Sequence, residues 1–407
     1  MRDPSTPRPA KLPLTLLAVG MLAIALDVGA ARITFGVALP AYTRELGLSF
    51  TAAGLLGSIH LIGYLIGTLV SPALSGRLGN TYLCRTSHVV FALGMFTSGL
   101  PQNFTAMAIG RLVSGLSAGC GVFAIFAIVF SATSPQQRAT AGSWVWAGIG
   151  VAILISGVMS PFLVETRGLW RFAFIVPAAL ALCVAYFLPA GDIASAPDGA
   201  VASLSPGLVN PRSWKSWIFL SVAYVSFGMA YIAFATFAGV RLRDVASTSG
   251  TVSQFWMMFG VASMLGSWLG AVLLSRPIAR RFALCLAFAS GSAGAAAATG
   301  AGSGLLAASL LVGLGLVAIP ALTTITIRQR SDEFTYPRTF SVVTAIMGVG
   351  QLVGPGAAGL MADHFGAAAV ALFASWVYAG GAIAALADGV YTIERKPHLS
   401  RVFPTDR

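Results

Sequence analysis

The chain has 407 residues, 57% of them hydrophobic and only 9% charged, with a net charge of +12 and a mean hydropathy of +0.83. A soluble globular domain carries roughly a quarter charged residues, so this composition excludes a water-coated surface and puts the apolar side chains in lipid. It also turns the positive balance away from nucleic acid: basic residues in the short loops of a membrane protein set its orientation.

The apolar runs are long and continuous, not alternating segments of ten residues, which predicts spanning helices and excludes a β-barrel. The first run follows Arg2, Arg8 and Lys11 and covers 14–40. It is too long for the core of a signal peptide and contains Asp27 and Arg32, so it reads as an uncleaved first span. Further spans are predicted at 51–75, 82–100, 105–131, 140–164, 169–190, 214–240, 248–274, 281–300, 304–327, 339–362 and 367–391. The result is an all-α integral membrane protein with twelve transmembrane helices. Residues 1–190 form an N-terminal six-helix half and 214–391 a C-terminal one. A flexible cytoplasmic linker of small residues and prolines, 191–213, joins them, and 392–407 form a cytoplasmic tail. Cys84, Cys120, Cys183 and Cys285 lie in or beside apolar runs with no paired or metal-ligand spacing, so neither a disulfide nor a zinc site is expected.

With the N-terminus inside, 18 of the 25 Lys and Arg residues fall on the cytoplasmic side. Five (Arg44, Arg167, Arg171, Arg241 and Arg243) fall outside, and Arg32 and Arg111 lie within spans. This bias places both termini in the cytoplasm. Trp170, Trp214 and Trp217 fall near span ends, where interfacial anchors are expected. The halves are also related to each other. Shifted by 199 residues, the first two spans of each align without a gap: Gly29 meets Gly228, Arg32 meets Tyr231, Phe35 meets Phe234, Arg44 meets Arg243, and Arg77 meets Arg276. Parallel six-helix repeats are the pattern of major facilitator transporters, with the substrate site near the midplane between the halves.

Particular segments carry the same resemblance. Arg111-Leu112-Val113-Ser114-Gly115 resembles the Arg-x-x-x-Gly motif of the fourth span in the major facilitator superfamily. Ala147, Ser156, Ser160 and Pro161 occupy positions of its fifth-span antiporter motif. Ser75-Gly76-Arg77-Leu78-Gly79 resembles its loop motif, with Gly76 where the family usually has Asp. Gly29-Ala30-Ala31-Arg32-Ile33-Thr34-Phe35 with Leu39-Pro40, Tyr224 to Ile232 with Ala235-Thr236-Phe237, and Gly350-Gln351-Leu352-Val353-Gly354-Pro355 are similar to the first, seventh and eleventh spans of the YbfB/YjiJ-like branch. The resemblance covers nearly the whole chain. It implies the major facilitator fold, alternating access, and first and fourth spans that line a central cavity.

Asp27, Arg32 and Arg111 are the intramembrane charges that stand out. Each costs about 2.5–3.5 kcal/mol at a helix centre, so each should face a cavity or a partner. Five residues of α-helix turn through roughly 140°, so Asp27 and Arg32 are not expected on one face. Two arginines and one aspartate leave a positive site suited to an anion such as a carboxylate; the alternative is a structural ion pair that neutralises Asp27. Tyr231 and Ser226 occupy the repeat positions of Arg32 and Asp27 and could line the opposite wall, with ordinary packing as the alternative. Gln351 is a further substrate-site candidate, or else an interhelical hydrogen bond. Asp27, the one carboxylate placed near mid-membrane, is the first candidate for proton coupling. His60, on one face with Tyr64, is the second. Glycine pairs spaced by four, as at 63 and 67 or 115 and 119, predict close helix packing.

Gly115-Leu116-Ser117-Ala118-Gly119 matches a hydrolase elbow, but that motif needs a strand-turn-helix context. No phosphate-binding loop or other enzymatic constellation is present, so no enzyme activity and no cofactor are expected. The expected function is secondary active transport of a small organic solute, anionic and proton-coupled, in a bacterial inner membrane. Drug or metabolite efflux by antiport and ligand sensing without transport are the alternatives. The expected partners are a small-molecule substrate and membrane lipid, with the protein a monomer and no nucleic acid bound.

Overall fold

The computed structural model describes residues 14–399, apart from 101–102, 135–136, 167, 189–216, 246–247, 275–276 and 332–334. The predicted linker and residues 400–407 of the predicted tail therefore lie outside the described residues. No strand occurs among the described residues.

Helix α1 is continuous from Leu14 to Leu46. It is α-helical over Leu14–Ile24 and Phe35–Leu46, with a π-helical segment, Ala25–Thr34, between. Gly47, at φ +65°, ends it in the left-handed conformation that costs glycine least. Then follow α2 (Phe50–Leu78), α3 (Asn80–Gly99), α4 (Phe104–Ser131), α5 (Arg138–Trp146 and Gly148–Glu165) and α6 (Phe172–Phe187). The second set is α7 (Ile218–Val245), α8 (Ser249–Leu274), α9 (Pro277–Ala297), α10 (Ser303–Arg330), α11 (Tyr336–Phe365) and α12 (Ala367–Leu399). Among the described residues, nine helices are long and apolar enough to cross a membrane. Side chains start two of them: Ser49 Oγ accepts from Ala52 N at 3.1 Å, and Asn103 Oδ1 accepts from Ala106 N at 2.9 Å.

The two sets pack alike. The first half pairs α1 with α5, α2 with α4, and α3 with α4 and α6; the second repeats each pairing six helices later. The α2–α4 contact shows why small residues recur every four positions. A side chain at Gly63 or Gly67 would run into the backbone of Leu112 and Leu116, and one at Gly115 or Gly119 into the carbonyls of His60 and Tyr64. The predicted glycine pairs are thus a zipper of close backbone approach. Trp170 stands in the 3-10 turn Leu169–Arg171 that leads into α6, at a span end. It is fully buried against Tyr42 and Phe174, with ring centroids 5.9 and 6.0 Å away, and Trp217 is likewise buried.

Among the described residues, the halves are joined chiefly by α1 with α7, α2 with α11, and α5 with α8. The last two exchange under the 199-residue repeat, so the halves sit about a pseudo-twofold axis. Their described contacts gather away from the termini, at what is here termed the distal end. Gly36 packs on the backbone of Ala235 and Thr236, and Gly239 on that of Gly36. Ser58 Oγ donates to Leu352 O at 2.7 Å, and Ser160 and Ser253 hydroxyls lie 3.4 Å apart. Asp363, at the end of α11, accepts from Phe50 N at 2.9 Å and from Thr51 N and Oγ1 at 2.8 and 2.6 Å. A carboxylate from one half thus caps the positive end of a helix in the other. Beside this seal lies a cavity of about 330 Å³, lined by Arg44, Arg243 and Asp244 among others.

Candidate functional site

The site centres on the π-helical segment. Hydrogen bonds of the i→i+5 type, of which a π-helix is made, bring residues five apart onto one side of the helix. Asp27 and Arg32 are five apart in this segment, and their side chains meet different neighbours: Asp27 faces His88 of α3, while Arg32 faces Tyr64 of α2 and Tyr231 of α7. The local sequence suits the distortion. Gly29 and Ala31 keep the segment slim, and a side chain at Gly29 would collide with Ala152 of α5.

Arg32 is buried at 7% exposure and reaches the boundary between the halves. Its guanidinium carbon lies 4.2 Å from the Tyr64 ring centroid, and Nη1 donates to Tyr231 Oη at 3.4 Å. Gln351 Nε2 donates to the same hydroxyl at 2.6 Å. Helices α1, α2, α7 and α11 therefore meet at one point. Arg32 Nε has no protein partner. Tyr231 also continues an aromatic ladder along α7: its ring is 4.8 Å from Phe227, which is 5.9 Å from Tyr224. Of the four candidates for substrate contact, Arg32, Tyr231 and Gln351 are thus brought together.

Arg111 is placed differently. It is 1% exposed and enclosed within the first half. Nη1 donates to Ala31 O at 2.7 Å, Nε donates to Leu56 O at 3.4 Å, and the guanidinium lies 4.2 Å over the Phe35 ring. Its donors tie α4 to the π-helical segment and to α2.

Asp27 does not pair with either arginine. Among the described ion pairs its partner is His88 of α3, with Oδ2 3.6 Å from Nε2, and both residues are buried. His60, the second proton candidate, is fully buried elsewhere, with Nδ1 3.3 Å from Ser114 Oγ. Ser226 bonds within its own helix, to Val222 O at 2.8 Å. The residue that sequence reasoning missed is His88. Its signal was available, since an ionisable side chain inside the third predicted span carries the same cost that singled out Asp27.

The fold built by these helices is that of the major facilitator transporters. The nucleoside transporter NupG superposes with a TM-score of 0.75 at 13% identity, over 93% of this chain and 99% of that one. A D-xylose-proton symporter superposes at 0.66 and 16% identity, over 94% and 97%. The chain belongs to the family described as "Uncharacterised MFS-type transporter YbfB", whose sequence profile matches residues 23–389. It is 24% identical over 272 residues to the inner membrane transport protein YdhP of Escherichia coli K12, covering 65% of this chain and 67% of that protein. The quinolone resistance protein NorA of Staphylococcus aureus is 21% identical over 213 residues, 52% of this chain and 54% of its own length. The expected all-helical membrane transporter of this branch is thereby established.

Proposed function

We propose that the protein is a proton-coupled secondary transporter of a small organic anion, working by alternating access in a bacterial inner membrane. It has twelve spans and both termini in the cytoplasm. The charge bias of its loops supports that orientation. The distal end then faces outward, and the contacts from Gly36 to Asp363 close it, so this is a conformation sealed on the outside.

The observation that carries the reading is Arg32. A permanently charged side chain sits at the junction of the halves, shares one hydroxyl with Gln351, and keeps Nε unpartnered. Such a group recognises a carboxylate through its planar fork of donors. The rings of Tyr64, Tyr231, Phe227 and Tyr224 alongside favour an anion with a flat apolar body. Arg111 adds positive charge and holds the π-helical segment, and Asp27 carries the proton.

A thermal-shift screen of the purified protein tests this reading with benzoate, aliphatic carboxylates, organic amines and neutral drugs. A ligand at 100 times its Kd stabilises by about 2.7 kcal/mol. Stabilisation by carboxylates that disappears in Arg32→Gln is the expected result. Stabilisation by neutral or cationic drugs alone would replace anion transport with drug efflux, the reading that likeness to the quinolone resistance protein supports.

A further inference from the structure

His88 takes no part in the contacts around Arg32, yet its ring has a fixed orientation. Nδ1 lies 2.8 Å from the carbonyl oxygen of Cys84, one turn earlier on α3. A carbonyl only accepts, so Nδ1 carries a hydrogen. The other ring nitrogen, Nε2, faces Asp27 Oδ2 at 3.6 Å, and neither atom has a hydrogen-bond partner. In the neutral ring Nε2 presents a lone pair, and an ionised carboxylate presents only lone pairs. Two acceptors aimed at each other repel. With two protons the pair would carry a net positive charge in a buried site that already adjoins the Arg32 segment. With one proton the pair is complementary and has no net charge, whichever atom holds it.

The surroundings are shaped around this pair. Gly121 of α4 forms its wall: a methyl group there would fall 2.5 Å from Asp27 Oδ2 and 3.3 Å from His88 Cε1. Of the charged and titratable groups facing Asp27, Arg32 comes from its own segment, Cys84 from α3, Cys120 from α4 and Tyr64 from α2. Helix α5 brings Ile149 and Ala152 against the segment at Gly29 and the uncharged hydroxyl of Ser156 against Thr34. The titratable groups of α6, Cys183 and Tyr186, are exposed and face away. Arg32 is therefore the full charge that Asp27 feels among the described residues.

We propose that Asp27 and His88 form one proton-binding site that holds a single shared proton, and that this is the coupling proton of the transporter. The second clause rests on the transport reading above; the first does not. The site is linked to Arg32 through the π-helical segment. An anion on Arg32 cancels the charge that favours ionised Asp27, so anion and proton each promote binding of the other, with equal coupling in both directions.

The test is a pH titration of the purified full-length protein, labelled with 15N-histidine and followed by NMR and by infrared difference spectroscopy. His88 is assigned by its loss in His88→Gln and, should that variant fold poorly, by elimination in a His60→Gln, His364→Gln, His398→Gln protein. The Asp27 carboxyl band is assigned by its loss in Asp27→Asn. The expected result is one proton per molecule, with the His88 Nε2 signal and the Asp27 band changing at a single common pH while Nδ1 stays protonated. Two protons with separate midpoints, or an ionised Asp27 beside a neutral His88, would overturn the shared site. The coupling role is read separately, from benzoate accumulation in proteoliposomes under an imposed pH gradient. Wild-type accumulation that His88→Gln abolishes supports the coupling role, and undiminished accumulation in His88→Gln overturns it. No gradient-driven accumulation in the wild type would defeat the transport reading and leave the titration to decide the shared proton.

Discussion

Arg32 and Tyr231 are 199 residues apart, occupy equivalent positions in the two halves, and touch: the guanidinium Nη1 donates to the phenol oxygen at 3.4 Å. Gene-level symmetry has diverged here into chemical complementarity. One repeat supplies a permanent charge. The other supplies a neutral hydroxyl, and Gln351 donates to the same oxygen at 2.6 Å. Because the contact crosses the boundary, any rocking of the halves must break or rebuild it.

The two intramembrane arginines should behave differently. Arg32→Gln is expected to weaken carboxylate binding at least tenfold while the melting temperature of the unliganded protein changes little, since Nε has no protein acceptor and Nη1 makes only a long hydrogen bond to Tyr231. Arg111→Gln strips the donors from Ala31 O and Leu56 O, and a buried unsatisfied acceptor costs about 1–3 kcal/mol. Its main effect should be a lower melting temperature. Calorimetry and ligand titration on both variants decide the matter; equal thermal loss in the two would show Arg32 to be structural as well.

Asp27→Asn mimics the protonated carboxyl at similar volume. The variant is expected to keep ligand binding and substrate exchange but to lose gradient-driven accumulation in proteoliposomes. His60→Gln should have a smaller effect, because His60 bonds Ser114 while Asp27 faces His88. Uphill transport that survives in Asp27→Asn removes Asp27 as the proton carrier.

The Asp363 cap should act as a latch on the distal end. Asp363→Ala deletes three hydrogen bonds across the boundary, and loss of a helix-capping side chain typically costs about 0.5–2 kcal/mol. An exposed site puts the effect toward the lower figure. A cysteine introduced at Thr43, which lines the distal cavity, should then react faster with an impermeant thiol reagent added from outside. Unchanged labelling would show that the close backbone packing at Gly36 and Gly239 seals that end alone.

Orientation is open to direct measurement. Cysteines at Gly199 and Ser400 should react only with reagents that reach the cytoplasm, and one at Gln102 should react from outside. External labelling at Gly199 would invert the topology and place the sealed end of the structure in the cytoplasm.

The sequence by itself determined the class, the apolar runs, the repeat and the residues at stake, because each is a one-dimensional property. Lipid demands long apolar runs wherever a helix crosses, and duplication leaves its register in the chain. That register already paired Arg32 with Tyr231. Which charges meet is a matter of helix rotation, and in an α-helix one residue of register turns a side chain by roughly 100°. Only the tertiary structure could therefore show that Asp27 turns toward α3 while Arg32 turns toward α2 and α7. It alone enclosed Arg111 among the backbone carbonyls of Ala31 and Leu56. It alone gave Asp27 the imidazole of His88 as its neighbour, 61 positions along the chain, in the space that the missing side chain of Gly121 leaves free.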